Sequence, residues 1–341
     1  MFYPKERVTV IQAQVLPPAA TTTISSVLPL DRCGWYSLRL CFTAVLAAVL
    51  TPFADGIYRF IKGITIRTSR GEVLLNNVPG MALYRMNQIL YGKSPYHQEH
   101  LAAGGTFTGV LDIPFTFPFL KRKEDTIVDT GRYSNIEIQI TTGALAVFAP
   151  AAPATCPVTM GLEIERTLSP FAKDGKSKPL ALPYITTYPC IATAVTLQYD
   201  LESALDLGLF GFFLYNHDVL LIEGAVPFCS PAAGGVDHLA QVTLRDSVRT
   251  WIDRVQMESF QKEREDLLSY DQYDGTALPV AATEIPTNMI GLYPYLFVKN
   301  GSINEVYATG KKSLIQLSFT LNAAAGTERA SLCAFGMRAL R

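Results

Sequence analysis

The chain has only four histidines, and the two that lie close together lack the spacing of a catalytic metal site. Zinc proteases of the H-E-x-x-H type carry both histidines on one face of a helix. Here the order is His97-Gln98-Glu99-His100, and Pro95 precedes it. His217 and His238 stand near no G-x-S-x-G elbow that could present a nucleophile. We therefore predict no catalytic residue, no bound cofactor and no metal ligand, and hence no enzyme.

Three glycine–lysine pairs could suggest a phosphate-binding loop. They are Gly92-Lys93, Gly175-Lys176 and Gly310-Lys311. A P-loop requires a further glycine five positions before the lysine-linked one, so that backbone amides can surround the phosphates. Those positions hold Asn87, Pro170 and Glu305. The pairs are therefore predicted to be surface turns.

Two further patterns have an ordinary structural interpretation. The acidic segment 271–275 lacks the ligand spacing of an EF-hand, and a turn is the simpler interpretation. The six cysteines contain no C-x-x-C pair, so they predict buried free thiols rather than a zinc or redox motif. They are Cys33, Cys41, Cys156, Cys190, Cys229 and Cys333.

The charge content restricts the possible partners. The 341 residues include 29 basic and 30 acidic side chains, for a net charge of −1, and only 17% are charged. A protein that packages nucleic acid needs clustered Lys and Arg to displace counterions, and no such cluster or basic arm exists. We expect no direct nucleic-acid contact. An apolar content of 49% predicts large cores and extensive contacts between copies.

Two segments are candidates for a targeting or membrane element. The segment 1–7 has no apolar h-region behind it, which predicts a chain made and kept in a cytoplasm. The apolar-rich stretch 40–50 is shorter than the ~20 residues of a spanning helix. It is more typical of a buried strand or a short core helix.

The second half of the chain repeats the first. Ile64–Arg67 corresponds to Val242–Arg245, at an offset of 178, and Ile113–Phe117 to Tyr293–Phe297, at 180. The other two matches pair Ile138–Ile140 with Ile315–Leu317 and Arg166 with Arg338, at offsets of 177 and 172. Four matches in the same order at nearly one offset indicate a duplicated domain, since solenoid repeats are much shorter.

The elements within each half are mainly short strands. Alternation of apolar and polar residues is clearest at 61–68 and 133–141, and helical spacing predicts helices at 81–91 and 247–269. Short strands separated by turns, abundant proline and few helices predict an all-β chain of two tandem jelly-roll β-sandwiches, each with one helical insertion.

Composition also places the domain boundaries. We predict a first jelly roll at 31–170, a linker at 171–180 rich in Pro, Lys and Gly, and a second jelly roll at 181–341. Residues 1–30 precede the first evident strand and have no counterpart before the second half. Their many aliphatic residues predict an arm that packs on a neighbouring copy or on the inner side of an assembly.

In this architecture and in segments 64–91, 108–117 and 131–142 with their second-half counterparts, the chain resembles the double jelly-roll major capsid proteins of tailless icosahedral viruses with an internal membrane. Tectiviruses, corticoviruses and finnlake-virus-type phages belong to this group, and adenovirus hexon is a larger relative. The resemblance implies a bacteriophage coat protein that trimerises into pseudo-hexagonal capsomers and tiles a shell. It also implies contacts with minor capsid or vertex proteins and with a lipid layer beneath the shell.

Two other functions stay open at this point. A tandem jelly-roll binding module, such as a lectin or a receptor-binding spike of a virion, would present exposed aromatic and acidic side chains on loops. Tyr270, Tyr273 and Asp274 could serve in that way. An enzyme on a duplicated sandwich of the cupin type would need a histidine cluster inside a barrel, and four scattered histidines do not provide one.

Overall fold

A computed structural model of the chain describes most of both halves. The described residues are 5–17, 23–28, 30–45, 56–91, 97–98, 106–147, 155–167, 179–188, 191–193, 196–216, 239–256, 292–310, 312–321 and 330–340. They form twenty strands, two α-helices and three short 3₁₀ turns.

The elements of the first half are β1 (Lys5–Leu16), β2 (Thr23–Leu28), β3 (Gly34–Val45), α1 (Gly56–Phe60), β4 (Ile61–Thr68), β5 (Val73–Val78), α2 (Gly80–Tyr91), β6 (His97–Gln98), β7 (Thr106–Pro114), β8 (Val128–Asp129), β9 (Ile136–Thr142) and β10 (Val158–Thr167). The 3₁₀ turns are Lys123–Thr126, Thr130–Arg132 and Leu145–Val147. The strands of the second half are β11 (Ala181–Tyr188), β12 (Ile191–Thr193), β13 (Thr196–Asp200), β14 (Leu207–Asn216), β15 (Leu239–Arg245), β16 (Thr250–Gln256), β17 (Leu292–Leu296), β18 (Tyr307–Ala308), β19 (Gln316–Leu321) and β20 (Ala330–Ala339).

Each half is a sandwich built on two four-stranded sheets in the jelly-roll order, and the short strands β6 and β12 extend one sheet of each half beside β7 and β13. In the first half the sheets run β1-β10-β3-β7 and β2-β9-β4-β5. In the second half they run β11-β20-β14-β17 and β13-β19-β15-β16. The two orders agree strand for strand, with β8 and β18 added beside β3 and β14 at the same step. The predicted fold class, two tandem jelly rolls, is confirmed.

The two sandwiches share one sheet. Strand β5 of the first half pairs in parallel with β11 of the second, with Leu75 opposite Ile185 and Asn76 opposite Thr186. This pairing continues the first half's β2-β9-β4-β5 sheet into the second half's β11-β20-β14-β17 sheet. Both halves are therefore held by main-chain hydrogen bonds as well as by side-chain packing.

The duplication extends to individual hydrogen bonds. The backbone N–H of Ser69 donates to the carbonyl of Asn135 at 3.0 Å, and that of Ser247 donates to Ser313 at 3.0 Å. The loop before the third strand of each half is held by a buried threonine. Thr130 Oγ1 donates to Cys33 O at 2.8 Å, and Thr309 Oγ1 donates to the equivalent Leu207 O at 3.1 Å.

The positions of the β-bulges agree as well. The β3–β10 and β14–β20 pairs are both irregular one step before the end of the sheet, at Arg166 and at Gly336. Asn77 and Arg254 occupy the same bulge in β5 and β16, both with φ of 48°. Their backbone N–H groups donate to the hydroxyls of Thr65 and Thr243. Bulges of this kind are specific local features, because each needs one extra residue at a fixed step.

Three of the four sequence matches have a register that is wrong by two residues. The strand pairings set Phe115 against Phe297, Ile138 against Leu317 and Arg166 against Gly336, at offsets of 182, 179 and 170. Only the match at Ile64 keeps its offset of 178. A shift by two keeps every side chain on the same face of the strand, so the alternating pattern could not reveal it.

The helix predicted at 247–269 is wrong over its first third. Residues Thr250–Gln256 form β16 and pair with β15, and Ile252 is its core-facing residue at 5% exposure. Residues 257–269 lie outside the described ranges. The helix predicted at 81–91 is confirmed as α2, which follows β5 directly.

The arm predicted for residues 1–30 is also wrong for the described part. Strand β1 pairs with β10 and β2 pairs with β9, so both belong to the first sandwich and correspond to β11 and β13. The alternation of Val8 and Val10 with polar residues is the strand signal that the neighbouring prolines obscured. The predicted linker lies outside the described residues, except for Pro179 and Leu180.

Candidate assembly surfaces

The outer face of the second half's β11-β20-β14-β17 sheet is apolar and buried. The side chains that point away from the second core are Ile185, Phe213, Tyr215, Cys333 and Phe335, all at most 1% exposed. They belong to the hydrophobic core of the first half. We call this contact, together with the β5–β11 pairing, the intrachain junction.

The first half covers that face with an aromatic loop. Phe117 and Phe119 follow β7, and their rings lie 5.1–6.2 Å from those of Phe210 and Phe335, measured between centroids. The backbone N–H of Lys121 donates to the carbonyl of Gly301 at 3.0 Å, which ties the loop to the second half. Aromatic contacts of this geometry add to the gain from burial.

The equivalent face of the first half is charged and open to solvent. Gly34 and Gly208 occupy the same step beside β8 and β18. Counting from them, Arg39 corresponds to Phe213, because Arg39 pairs with Glu163 just as Phe213 pairs with Cys333. Along the sheet the charged residues are Lys5, Arg7, Arg39, Asp112, Glu163 and Glu165, which we call the charged face.

Ion pairs cross the charged face from strand to strand. Lys5 Nζ lies 3.4 Å from Glu165, Arg7 Nε lies 3.7 Å from Glu163, and Arg39 forms a two-pronged pair with Asp112 at 2.7 and 3.0 Å. The hydrogen bonds that Arg39 donates to the Asp112 carboxylate raise the pKa of Arg39, against an opposing effect of burial. Half-exposed pairs of this kind stabilise a fold by only about 0–1 kcal/mol each.

Helix α2 protects the far edge of this sheet. The side-chain amide of Asn87 donates to the carbonyl of Asp112 at 2.7 Å, and Asn87 Oδ1 accepts from the Asp112 N–H at 2.9 Å. Asn87 is 2% exposed. Its amide therefore acts as a neighbouring strand would, and satisfies the outward groups of β7 at that step.

Strands β1 and β16 are among those that carry a neighbour on one edge only within the described residues. Strand β1 pairs only with β10, and β16 pairs only with β15. Their counterparts, β11 and β5, are the two strands that pair with each other in the intrachain junction. The chain thus uses one copy of this pair of edges internally and leaves the other copy open within the described ranges.

One buried carboxylate, that of Asp246, fixes the turn between β15 and β16. Asp246 has a fully buried carboxylate that accepts hydrogen bonds from Tyr307 Oη at 2.7 Å and Trp251 Nε1 at 2.5 Å, and it pairs with Lys312 at 3.1 Å. Burial favours the neutral acid, but these hydrogen bonds and those from two backbone N–H groups outweigh it. The pKa of Asp246 therefore lies well below its ordinary value. The Asp246 carboxylate thus bonds to groups of the turn and its surroundings, and we interpret its role as structural.

The histidines and the acidic segment that the sequence analysis considered and rejected as sites lie mostly outside the described part of the chain. His97 lies in the short strand β6, while His100, His217, His238 and segment 271–275 lie outside the described ranges. Within those ranges, no three His, Cys, Asp or Glu side chains come together as a metal ion would require. Cys33, Cys41, Cys156 and Cys333 are free thiols.

The described parts of the glycine–lysine pairs and of the apolar stretch 40–50 lie in an ordinary loop and an ordinary strand. Gly310 packs against the backbone of Leu205 in a loop, and the other two glycine–lysine pairs lie outside the described ranges. Residues 40–45 belong to β3. No helix in the described ranges combines the length and apolar content that crossing a membrane requires.

Sequence reasoning missed the contrast between the two outer faces, although one signal was present. Strand β14, Leu207–Asn216, is a nearly continuous apolar run, whereas β3 alternates Leu38, Leu40 and Phe42 with Arg39 and Cys41. Continuous apolar strands are typical of sheets covered on both faces. The run therefore marks the second half as the one that is buried within the chain.

The fold is similar to solved structures of viral coat proteins. It matches the major capsid protein P2 of bacteriophage PM2 with a TM-score of 0.58 and 12% identity, over 98% of each chain. It matches the major capsid protein of Sulfolobus turreted icosahedral virus with a TM-score of 0.65 and 12% identity, over 99% of this chain and 97% of that one. The PBCV-1 virus capsid gives 0.59 and 11%, over 99% and 94%.

These matches rest on structure alone. No protein-family model matches the chain, and no curated protein matches its sequence. The strand order, the shared bulges and the near-complete coverage nevertheless agree on one architecture. The chain has the double jelly-roll fold of viral major capsid proteins.

Proposed function

We propose that the chain is the major capsid protein of an icosahedral virus, a bacteriophage in the simplest case. In this role it forms a homotrimer of six sandwiches with a nearly hexagonal outline, and trimers tile the shell. The observation that carries the proposal is the double jelly roll itself, with one junction made inside the chain and a matching pair of strand edges left open. Cyclic symmetry turns such unsaturated edges into a closed ring.

The domain organisation we propose follows the strand order. The first unit comprises β1 to β10, which brings residues 1–30 into it, and the second comprises β11 to β20. The predicted linker at 171–180 would join them. A chain divided in this way places two equivalent sandwiches in each subunit, as a pseudo-hexagonal capsomer requires.

The remaining partners belong to the same proposal. We expect the chain to reside in the virion capsid after synthesis in the host cytoplasm, and to contact other trimers and minor capsid or vertex proteins. An internal membrane beneath the shell is the expected inner neighbour. We propose no enzymatic activity and no direct nucleic-acid contact, in line with the net charge of −1 and the absence of a recognisable catalytic motif.

The binding-module alternative has no observation in its favour. Tyr270, Tyr273 and Asp274, the residues named for it, lie outside the described ranges. The rings of Phe117 and Phe210 are packed inside the intrachain junction. The rings of Phe297 and Tyr307 pack in the second core, and Trp251, 41% exposed, lies edge-on to Tyr307 in strand β16 rather than on a loop. A lectin would instead expose aromatic rings on its loops.

The test is the mass and shape of the purified chain. Light scattering coupled to size-exclusion chromatography should give three times the chain mass, and negative-stain images should show hexagonal outlines. Raising the protein concentration should produce sheets or closed shells. A stable monomer at micromolar concentration, with no larger species, would refute the proposal.

A further inference from the structure

We infer that the intrachain junction is repeated between copies, with β16 of one copy pairing in parallel with β1 of the next. This inference rests on the proposed trimer and names the surface that forms it. Each copy has one open β1 edge and one open β16 edge among its described residues. A head-to-tail contact uses both edges of every copy and closes after three copies.

The register of the contact follows from the duplication. Arg7 and Ile185 are equivalent, because they pair with the equivalent residues Glu165 and Phe335. Leu75 and Ile252 are likewise equivalent in their pairing with β4 and β15. The intrachain pairs Ile185–Leu75 and Thr186–Asn76 therefore predict Arg7 opposite Ile252 and Val8 opposite Asp253 of the neighbouring copy.

The backbone geometry of the open edges matches that of the closed ones. Within the chain, Thr187 Oγ1 donates to the carbonyl of Asn77, which has φ of 48°. The equivalent positions hold Thr9 and Arg254, and Arg254 has the same φ of 48°. A threonine hydroxyl and a left-handed residue are thus present at the same step of both edges. By this equivalence, the Arg254 carbonyl is expected to accept from Thr9 Oγ1 of the next copy.

The side chains at the proposed interchain contact are also complementary, although they are polar where those of the intrachain junction are aromatic. Phe117 lies against Phe335 and Phe210 in the intrachain junction. Counting from the equivalent residues Phe115 and Phe297, the position of Phe117 is held by Lys299. Those of Phe335 and Phe210 are held by Glu165 and Tyr36.

The aromatic contact is thereby replaced by a lysine beside a carboxylate and a tyrosine ring. Lys5 Nζ already lies 4.0 Å from the centre of the Tyr36 ring, which shows that this ring accepts a cation. Opposite charges across an interface favour correct docking and make the contact sensitive to salt. Lys299 of one copy is therefore expected to contact Glu165 of the next.

Engineered cysteines test the strand pairing directly. Adjacent strands lie about 4.8 Å apart, within the Cα separation that a disulfide spans. The double variant Val8→Cys/Asp253→Cys should, on oxidation, give a covalent three-chain species on a non-reducing denaturing gel. Each single variant should not. The matched control Thr186→Cys/Asn76→Cys should form a bond within one chain, since those residues pair in the structure.

The outcomes separate the two proposals. A trimer in solution whose control variant cross-links, while the Val8→Cys/Asp253→Cys variant does not, would overturn the inference and leave the proposed function standing. A chain that stays monomeric would overturn both. A covalent trimer from the double variant alone supports both.

A charge exchange provides a second measurement on the same contact. Lys299→Glu should weaken the trimer about tenfold in its dissociation constant, because it sets like charges against each other. Adding Glu165→Lys should restore most of that loss. Lys62→Glu, an exposed lysine on the other sheet of the first sandwich, is the control and should change little. Equal weakening by Lys62→Glu and Lys299→Glu would contradict the contact.

Discussion

The outer faces of two equivalent sheets, β1-β10-β3-β7 and β11-β20-β14-β17, have the same strand order and opposite chemistry. At equivalent positions the first presents Arg39 and Glu165 and the second presents Phe213 and Phe335. The apolar face is covered within the chain for its whole lifetime, so it can depend on the hydrophobic effect. In the proposed trimer, the charged face must stay solvated until another copy covers it. Duplication supplied two identical scaffolds, and side-chain chemistry separated permanent from conditional contact.

Removing the N-terminal strands should have the largest effect on this comparison. Deleting residues 1–28 removes β1 and β2, one from each sheet of the first sandwich. We expect an insoluble or unfolded chain, since both β10 and β9 lose a partner. Circular dichroism and solubility measure the result. A folded, soluble truncated chain would mean that the N-terminal segment is dispensable to the sandwich.

Exchanging equivalent residues between the two faces should have very different effects on the free energy of unfolding. Phe335→Glu places a carboxylate in a fully buried position without a partner, and should destabilise the fold by about 3–5 kcal/mol. The reciprocal Glu165→Phe should leave the unfolding midpoint nearly unchanged. It should instead weaken the proposed trimer, because Lys299 of the next copy loses its carboxylate partner, and the added apolar group should promote non-specific aggregation. Chemical denaturation and light scattering test the pair, and similar destabilisation by both variants would contradict the contrast between faces.

The buried Asp246 should contribute to stability with a defined pH dependence. Its pKa is lower in the folded chain than in the unfolded one, where aspartate titrates near about 3.9. Its contribution is therefore fully present above that value and is lost as the pH falls towards the folded pKa.

Asp246→Asn should cost about 2–3 kcal/mol near pH 7, because the Lys312 ammonium loses its partner. The difference from the natural chain should shrink below pH 4. Urea unfolding at pH 7 and pH 3 measures this, and a constant difference at both pH values would argue against the assignment.

The smallest effect is expected on the charged face. Arg39→Lys removes the two-pronged geometry with Asp112 but keeps the charge. Because the pair is half-exposed, the free energy of unfolding should change by less than about 1 kcal/mol. Thermal unfolding of the isolated chain measures this change. A larger loss would show that the ladder of ion pairs holds the sandwich together.

Much of the fold could be predicted from the sequence because jelly-roll strands alternate. The strands at 61–68 and 133–141, the helix at 81–91 and the duplication all followed from spacing. Registers did not, because a slip of two residues leaves the alternation unchanged, as it did between Phe115 and Phe297. Strand β16 was mistaken for a helix because Val248, Trp251, Ile252 and Val255 also satisfy helical spacing.

The assembly surface could be predicted only in part. An open strand edge consists of backbone groups, which no side-chain pattern encodes, so β1 and β16 could be recognised only once the neighbours of β11 and β5 were known. The burial of β14 on both faces was readable in its apolar run. Assigning the matching face of β3 needed the equivalence of Gly34 and Gly208, which rests on strand pairing.

The covalent connection between the sandwiches has a consequence in time. The β5–β11 pairing joins two parts of one chain, so it forms in a unimolecular step whose rate does not depend on protein concentration. Contacts between separate chains form in bimolecular steps and become slower on dilution. Half of the six junctions in the proposed ring are therefore complete before any two molecules meet. In the proposed assembly only the contacts between chains depend on concentration, so shells would begin to form once synthesis has raised the concentration of chains far enough for those contacts to form.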